Sequence, residues 1–180
     1  MHMDGTVQQI GDGFVIRFER ELSHPVETVW AALTQSERIS DWLGGEGSHI
    51  EPRIGGRVQL PAHGIESTVS AVEPGRVIEF GWKTAEWDGG TVRWEVRPSG
   101  DGTHLEMIHR DPVADPELQQ RLGEKYGWTP DMYDPIPRNL AGWHTLLDGL
   151  ASALEGSPPP GEEHWKPLHE HYKQLHASPS

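Results

Sequence analysis

A histidine near the end of a predicted strand is the first candidate for chemistry in this sequence. His109 shares its strand parity with Leu105 and Met107, because side chains two residues apart point to the same face of a strand. A neutral imidazole in an apolar pocket can orient a carbonyl or hydroxyl group of a ligand, or act as a general base. The alternative is a histidine that is hydrogen-bonded near the rim of the sheet and takes no part in binding.

Two further polar side chains adjoin apolar patterns. His144 follows Trp143 in a predicted helix, so it faces either a cavity or the boundary between the helix and a sheet. Arg20 shares the parity of the apolar residues in the strand predicted at 14–22. A buried guanidinium needs a carboxylate or an anionic ligand as its partner. If Arg20 has instead reached the end of the strand, it is solvated.

Large side chains on the same predicted faces complete the candidate site. Trp82 and Trp94 lie on the apolar parity of neighbouring strands, and Trp128 lies beside tyrosines in a long segment between regular elements. His109 and His144 are the candidate catalytic residues. The predicted ligand-binding set is Arg20, Phe80, Trp82, Trp94, Met107, His109, Trp128, Trp143 and His144.

Several other kinds of chemistry lack the residues that they need. The chain has no cysteine, which excludes disulfides, thiolate catalysis and cysteine-based metal sites. The four histidines in residues 164–176 are never separated by the three or four positions that a zinc-binding pair on a helix requires. Glu95 and Glu106 are predicted to be surface charges on the convex face. We therefore expect no metal site and no cofactor.

Composition narrows the classes of partner. The formal net charge is −13, which disfavours nucleic acid and anionic membrane surfaces. The N-terminus lacks the pattern of a signal peptide, and no apolar stretch approaches the roughly 20 residues of a membrane span. We expect a soluble cytoplasmic protein, whether or not His2 and Met3 are native residues. Hydrophobic residues make up only 34% of the chain, but its 8 tryptophans supply large apolar area for a core.

Hydropathy and turn signals predict the elements that position these residues. Alternating apolar residues separated by Gly, Pro or Asp predict antiparallel strands; the strands are expected at 14–22, 57–61, 65–73, 76–83, 91–97 and 103–110. Apolar stripes predict a helix after Pro25, a second short helix that ends at Gly44, and a long helix from Pro137 to Leu154. Residues 111–137 are predicted to be a long loop or a broken helical segment, of the kind that serves as a lid.

The chain divides into three predicted parts. Residues 1–13 are expected to be a flexible lead-in, residues 14–156 to form the main domain, and residues 157–180 to be a Pro-rich linker followed by an amphipathic tail helix. The tail helix is expected to pack against the main domain or to contribute to a homodimer.

The order of these segments resembles the SRPBCC superfamily, which includes START domains, polyketide cyclases and birch-pollen allergens. More narrowly, it resembles the branch named after the activator of the heat-shock-protein-90 ATPase. The resemblance spans roughly residues 14–155 and is carried by residues 25–34, 41–43, 53–56, 69–74, 76–82, 91–96, 102–105 and 142–144.

The resemblance implies an α+β helix-grip fold. In this fold a curved antiparallel β-sheet wraps around a long C-terminal helix, two short helices close one end, and a hydrophobic cavity lies between sheet and helix. The chaperone activity of the branch belongs to relatives with an extra domain, so it transfers poorly to this shorter chain.

Three functions remain open from the sequence. The first is a protein that binds a small hydrophobic or aromatic molecule in an aromatic-lined internal cavity. The second is an enzyme on the same scaffold, a cyclase, dehydratase or hydrolase that uses His109 or His144. The third is a chaperone-associated protein-interaction module. Several ionisable groups converging in the cavity would favour the enzyme, whereas a dry cavity with one polar anchor would favour the binding protein.

Overall fold

A computed structural model of the chain describes residues 3–110 and 115–177. The eight strands are β1 (Thr6–Ile10), β2 (Gly13–Leu22), β3 (His49–Ile50), β4 (Arg57–Leu60), β5 (Ile65–Glu73), β6 (Val77–Lys83), β7 (Asp88–Ser99) and β8 (Gly102–Arg110). The helices are α1 (Val26–Thr34), α2 (Ser36–Ile39), α3 (Pro116–Tyr126), α4 (Pro135–Leu154) and α5 (Trp165–Leu175), with a π-helical turn at Ser40–Gly44 and 3-10 turns at Pro61–His63, Pro130–Met132 and Glu162–His164.

The strands form a single antiparallel sheet in the order β1-β2-β8-β7-β6-β5-β4-β3. All six predicted strands are present, and each is within three residues of its predicted bounds. The prediction of a flexible lead-in at 1–13 is wrong for residues 6–10, because they pair with β2 as the edge strand β1. The polar composition of that segment hid the strand, since an edge strand can leave most of its side chains in solvent.

The sheet changes course within β5. The first half of this strand pairs with β4 and the second half pairs with β6, with a register shift between Val69 and Ala71. A second irregularity lies between Gly81 and Lys83 of β6. Such bulges bend a strand and increase its local twist, so they fit the curvature by which the sheet wraps α4. The α+β helix-grip fold predicted from the sequence is therefore confirmed.

Tryptophans fill the space between the sheet and α4. Trp94 lies edge-to-face against both Trp42, with ring centroids 5.4 Å apart, and Trp143, at 5.8 Å. Trp143 also contacts Trp82 at 4.8 Å. The interior where the resemblance implied a hydrophobic cavity is thus occupied by packed indole rings, and the main cleft lies farther along the molecule, at one end of the sheet.

The two helices α4 and α2 begin differently. Helix α4 begins at Pro135, two residues earlier than predicted, because Asp134 caps it by accepting a hydrogen bond from the N–H of Ile136 at 3.0 Å. Helix α2 begins without a side-chain cap, with Gln35 before its first residue. Gly45, with φ of 74°, follows the π-helical turn in a conformation suited to glycine.

The segment predicted at 111–137 is a broken helical segment rather than a long loop in its described part. It contains α3, whose first turn is capped by Asp115, and the 3-10 turn at Pro130–Met132. Residues 111–114 lie outside the described residues.

The C-terminal helix α5 packs against α4. This is the first of the two arrangements expected for the tail helix. Tyr172 is fully buried there, whereas Leu175, the last apolar residue of the predicted stripe, is 52% exposed. The homodimer stays a prediction. Within the part of the chain that the structure describes, none of the helices combines the length and apolar character needed to traverse a membrane.

Candidate functional site

A cleft of about 610 Å³ opens at the end of the sheet where β6 and β8 end and β7 begins. Its floor is formed by the sheet, and its walls by the 3-10 turn at Pro61–His63, the β6–β7 hairpin, α3 and the first turn of α4. We call it the aromatic cleft; its lining residues are Pro61, Ala62, His63, Gly64, Trp82, Thr84, Ala85, Glu86, Trp87, Gly89, His109, Gln119, Leu122, Tyr126, Trp128, Arg138 and Asn139.

Aromatic rings from the sheet and from the end of α3 line the cleft. The His63 imidazole lies 5.3 Å from the Trp82 ring on the sheet side. On the α3 side, Tyr126 stacks on Trp128 with ring centroids 6.4 Å apart. Trp128 is held just beyond the end of α3, where its backbone N–H donates to the backbone carbonyl of Gly123 at 2.8 Å. Rings on both sides suit a flat apolar ligand that slides between them.

His109 lies on the cleft floor with both ring nitrogens engaged. Its Nε2 donates a hydrogen bond to the carbonyl of Gly89 at 2.7 Å, and its Nδ1 accepts one from Nε1–H of Trp143 at 3.0 Å. Burial lowers the pKa of His109 to about 4, against the smaller opposing effect of the Gly89 hydrogen bond. The imidazole is therefore neutral at pH 7, and neither nitrogen is free to serve as a general base in this arrangement.

The cleft contains a second neutral histidine. Burial lowers the pKa of His63, and a hydrogen bond to the backbone of Leu43 offsets this only in part. Because both cleft histidines are driven toward the neutral form, they add polarity to the walls without adding charge at pH 7.

Arg138, in the first turn of α4, is a charged cleft residue that sequence reasoning missed. Its guanidinium carbon lies 4.2 Å from the centroid of the Trp128 ring, and its Nη1 donates to the carbonyl of Met132 at 2.7 Å. Burial lowers the pKa of Arg138 to about 10, with Asp134 opposing the change, so the group stays charged at pH 7. One feature of the sequence could have indicated it, since Arg138 is the only Lys or Arg between Gly127 and Glu155.

The acidic residue on the cleft wall already has a cation. Glu86, in the β6–β7 hairpin, forms an ion pair with Lys125 at the end of α3. This pair joins the hairpin to α3, so the carboxylate of Glu86 already has a cation as its partner.

The structure brings three of the predicted site residues together in the aromatic cleft: Trp82, His109 and Trp128. Trp87, in the β6–β7 hairpin, also lines it. Four others pack in the interior and do not line the cleft, so their role in binding stays a prediction; these are Phe80, Trp94, Met107 and Trp143.

Arg20 and His144 belong to a different place, the contact between α4, α5 and the N-terminal segment. The hydroxyl of Tyr172 accepts a hydrogen bond from the N–H of Gly5 at 2.9 Å, so its own proton is available to Nδ1 of His144 at 2.8 Å. Burial lowers the pKa of His144, with Asp148 opposing the change, and burial raises the pKa of Tyr172 to about 12. His144 is thus a satisfied histidine at a helix boundary.

Arg20 is buried beside the same contact and is only 4% exposed. Its Nη1 donates to the carbonyl of Glu19 at 2.9 Å, and burial lowers its pKa while Asp148, Tyr172 and Asp4 raise it. Arg20 was predicted to bind a ligand, but it does not line the aromatic cleft. Its position in β2 places it in another part of the interior.

The convex face carries paired surface charges, as predicted for Glu95 and Glu106. These two residues lie opposite each other on β7 and β8, and they bind Arg93, at 2.6 Å, and Arg17 respectively. They lie on the other face of the sheet from the aromatic cleft, so they do not act as a catalytic pair there.

A histidine extends this charged surface. Glu19, His104 and Glu106 each bring one potential ligand atom within 4.8 Å of the others. Glu21 already contacts Nδ1 of His104 at 2.5 Å, and Arg17 binds Glu106. His104 and Glu106 therefore already have partners outside this group.

A family model and solved structures match this architecture. The model of the family described as Activator of Hsp90 ATPase homolog 1-like protein matches residues 23–155. No curated protein sequence matches the chain.

Three solved structures illustrate how far the likeness extends. CalU16 from Micromonospora echinospora has a TM-score of 0.68 and 22% identity, over 97% of this chain and 96% of that one. Protein MLL2253 from Mesorhizobium loti has a TM-score of 0.57 and 25% identity, over 79% and 97%. DynU16, described as a putative protein in the dynemicin biosynthetic locus, has a TM-score of 0.58 and 21% identity, over 82% and 50%. The first and third of these likenesses concern the fold alone.

Proposed function

The chain belongs to the family of Activator of Hsp90 ATPase homolog 1-like proteins, within the SRPBCC superfamily, and we propose that it binds a small aromatic or hydrophobic molecule in the aromatic cleft. The observation that carries this proposal is a cleft of about 610 Å³ lined by three indole rings from different elements, those of Trp82, Trp87 and Trp128. The volume falls within the range of roughly 300–1,000 Å³ that is usual for small-molecule sites.

The state of the cleft histidines favours binding over catalysis. Both ring nitrogens of His109 are hydrogen-bonded, to Gly89 and Trp143. Burial lowers the pKa of His63 and so favours its neutral form. An acid–base enzyme needs a titrating group with a free proton-transfer position next to the ligand. A cleft lined by aromatic rings, with the charged Arg138 as an anchor, instead suits a protein that holds a ligand in a fixed orientation.

Binding of N-phenyl-1-naphthylamine, a neutral aromatic probe, tests the proposal. We expect saturable binding of one probe per chain, followed by probe fluorescence. Trp128→Ala should weaken it by roughly tenfold, because one aromatic wall is lost. Trp30→Ala is the matched control, since Trp30 is a partly buried tryptophan on α1 outside the cleft lining. Absence of saturable binding, or equal weakening by both substitutions with both proteins folded by circular dichroism, would overturn the proposal.

A further inference from the structure

The side chain of Arg138 is held in one place within the aromatic cleft. Its guanidinium lies over the Trp128 ring at 4.2 Å, and its Nη1 is bound to the carbonyl of Met132 at 2.7 Å. Two contacts from different directions reduce the freedom of a long side chain, so little rotamer entropy remains to be lost when a further partner binds. One hydrogen bond also leaves most of the five N–H donors of the guanidinium for that partner.

The charge of Arg138 lacks a close counter-ion among residues 3–110 and 115–177. Asp134 acts on it only as a charge at a distance, and the carboxylate of Glu86 on the same cleft is bound by Lys125. A partly buried guanidinium without a carboxylate partner is costly. An anionic group on the ligand would offset that cost, in a site where water screens the interaction less than at the surface.

The backbone around Arg138 offers few competing donors for an anion. The first turn of α4 contains Pro135 and Pro137, which have no N–H, and the N–H of Ile136 donates to Asp134. The contribution that a helix N-terminus often makes to anion binding is therefore mostly removed here. An anion in this part of the cleft is left to the side chain of Arg138.

We propose that the aromatic cleft selects acids over neutral molecules: the ligand is an aromatic or hydrophobic body that carries a carboxylate or similar anion, and the Arg138 guanidinium binds that anion. The inference rests on the proposed function, and it adds the charge and orientation of the ligand. The aromatic body lies between Trp82 and Trp128, and the anion points toward the first turn of α4. Because the two cleft histidines are neutral at pH 7, the discrimination between acid and neutral ligand depends on Arg138.

Two probes with the same ring skeleton test the inference. N-phenyl-1-naphthylamine is neutral, and 8-anilinonaphthalene-1-sulfonate is the same skeleton with one sulfonate. We expect the sulfonate to bind the unmodified protein at least tenfold more tightly than the neutral probe. Arg138→Gln should weaken binding of the sulfonate at least tenfold and change binding of the neutral probe by less than about twofold, since a charge-assisted contact is lost and the walls are kept.

Arg76→Gln is the control for net charge. Arg76 is exposed in the β5–β6 turn, at the opposite end of these strands from the cleft, and it pairs with Glu73. This substitution should leave both probes unaffected. If the neutral probe binds but the sulfonate binds no more tightly, or if Arg138→Gln weakens both probes equally or neither, the anion inference is overturned while the proposed function stands. If neither probe binds, the proposed function and the inference fall together.

Discussion

The indole N–H of Trp143 donates to Nδ1 of His109 across 3.0 Å, and this contact joins the long helix α4 to the sheet. On its other side the imidazole donates from Nε2 to the carbonyl of Gly89 at 2.7 Å. The proton of neutral His109 must therefore be on Nε2. The same three residues connect helix, strand β8 and the start of β7, so the floor of the cleft depends on an imidazole whose protonation state is set by its neighbours.

The first prediction concerns the strength of this connection. We expect Trp143→Phe to lower the free energy of unfolding by about 1–3 kcal/mol, because it leaves a buried acceptor on His109 without its donor as well as removing ring volume. A double-mutant cycle with His109→Leu should give a coupling of about 1 kcal/mol, measured by urea unfolding. Additive effects of the two substitutions would contradict the contact.

The second prediction concerns pH. The pKa of His109 is lowered to about 4 in the folded protein, whereas the unfolded chain binds a proton on it near pH 6.5. Its contribution to stability is thus fully present above about pH 6.5 and is lost as the pH falls toward 4, by roughly 3 kcal/mol in all.

Substitution of His109 isolates this contribution from the other titrating groups. His109→Gln retains an amide that can donate to Gly89 and does not titrate. Between pH 7 and pH 4.5, the loss of unfolding free energy should be smaller in His109→Gln than in the unmodified protein by about 2–3 kcal/mol. The same pH dependence in both proteins would show that His109 is not held neutral.

The third prediction concerns the tail helix. Tyr172→Phe removes the hydroxyl that contacts the N–H of Gly5 and Nδ1 of His144, and it should destabilise the protein by about 1–3 kcal/mol. Tyr126→Phe is the matched control, because Tyr126 is 60% exposed, and its effect should stay within about 0.5 kcal/mol. Equal melting temperatures for the two variants would mean that the tail is not held by this hydroxyl.

The fourth prediction compares two glycines. A Cβ at Gly89 would lie 2.6 Å from the carbonyl oxygen of Trp82 and 2.7 Å from the ring of Trp87, so Gly89→Ala must displace backbone at the cleft floor. We expect it to lower the melting temperature and to weaken binding of N-phenyl-1-naphthylamine. Gly142→Ala lies in α4, where the added Cβ would meet no heavy atom within 4 Å beyond the neighbouring backbone of its own helix, and it should instead stabilise the protein by roughly 0.5–1 kcal/mol. Thermal unfolding of both variants makes the comparison.

Strand positions were the most predictable part of this molecule. Residues 65–73 were predicted with the observed bounds, and the buried face of β2, with Phe14, Ile16 and Phe18, was predicted from alternation alone. Both features are local, because the alternation of side chains along a strand follows from backbone geometry. The start of α4 was predicted at Pro137, two residues late: Asp134 caps the helix, and Pro135 suits its first position as well as Pro137 does.

The candidate site was predictable only in part. Alternation predicted that His109 points to the interior and Trp82 shares the apolar face of its strand, and both line the cleft. Alternation made the same prediction for Trp94, which packs against Trp42 and Trp143 in the core. Alternation along a strand predicts the face of the sheet on which a side chain lies. It does not predict which part of that face is covered by α4 and which part is left open as the cleft.

The sequence by itself determined the α+β class, the order of the strands along the chain and the faces on which their side chains lie, because these follow from short-range periodicity and turn chemistry. Only the tertiary structure decided which residues meet in the cleft. The walls combine the Pro61–His63 turn, the β6–β7 hairpin, α3 and α4, segments far apart in the chain that come together through strand pairing and helix packing. Arg138 is therefore part of the site because the packing of α4 brings its guanidinium over the ring of Trp128.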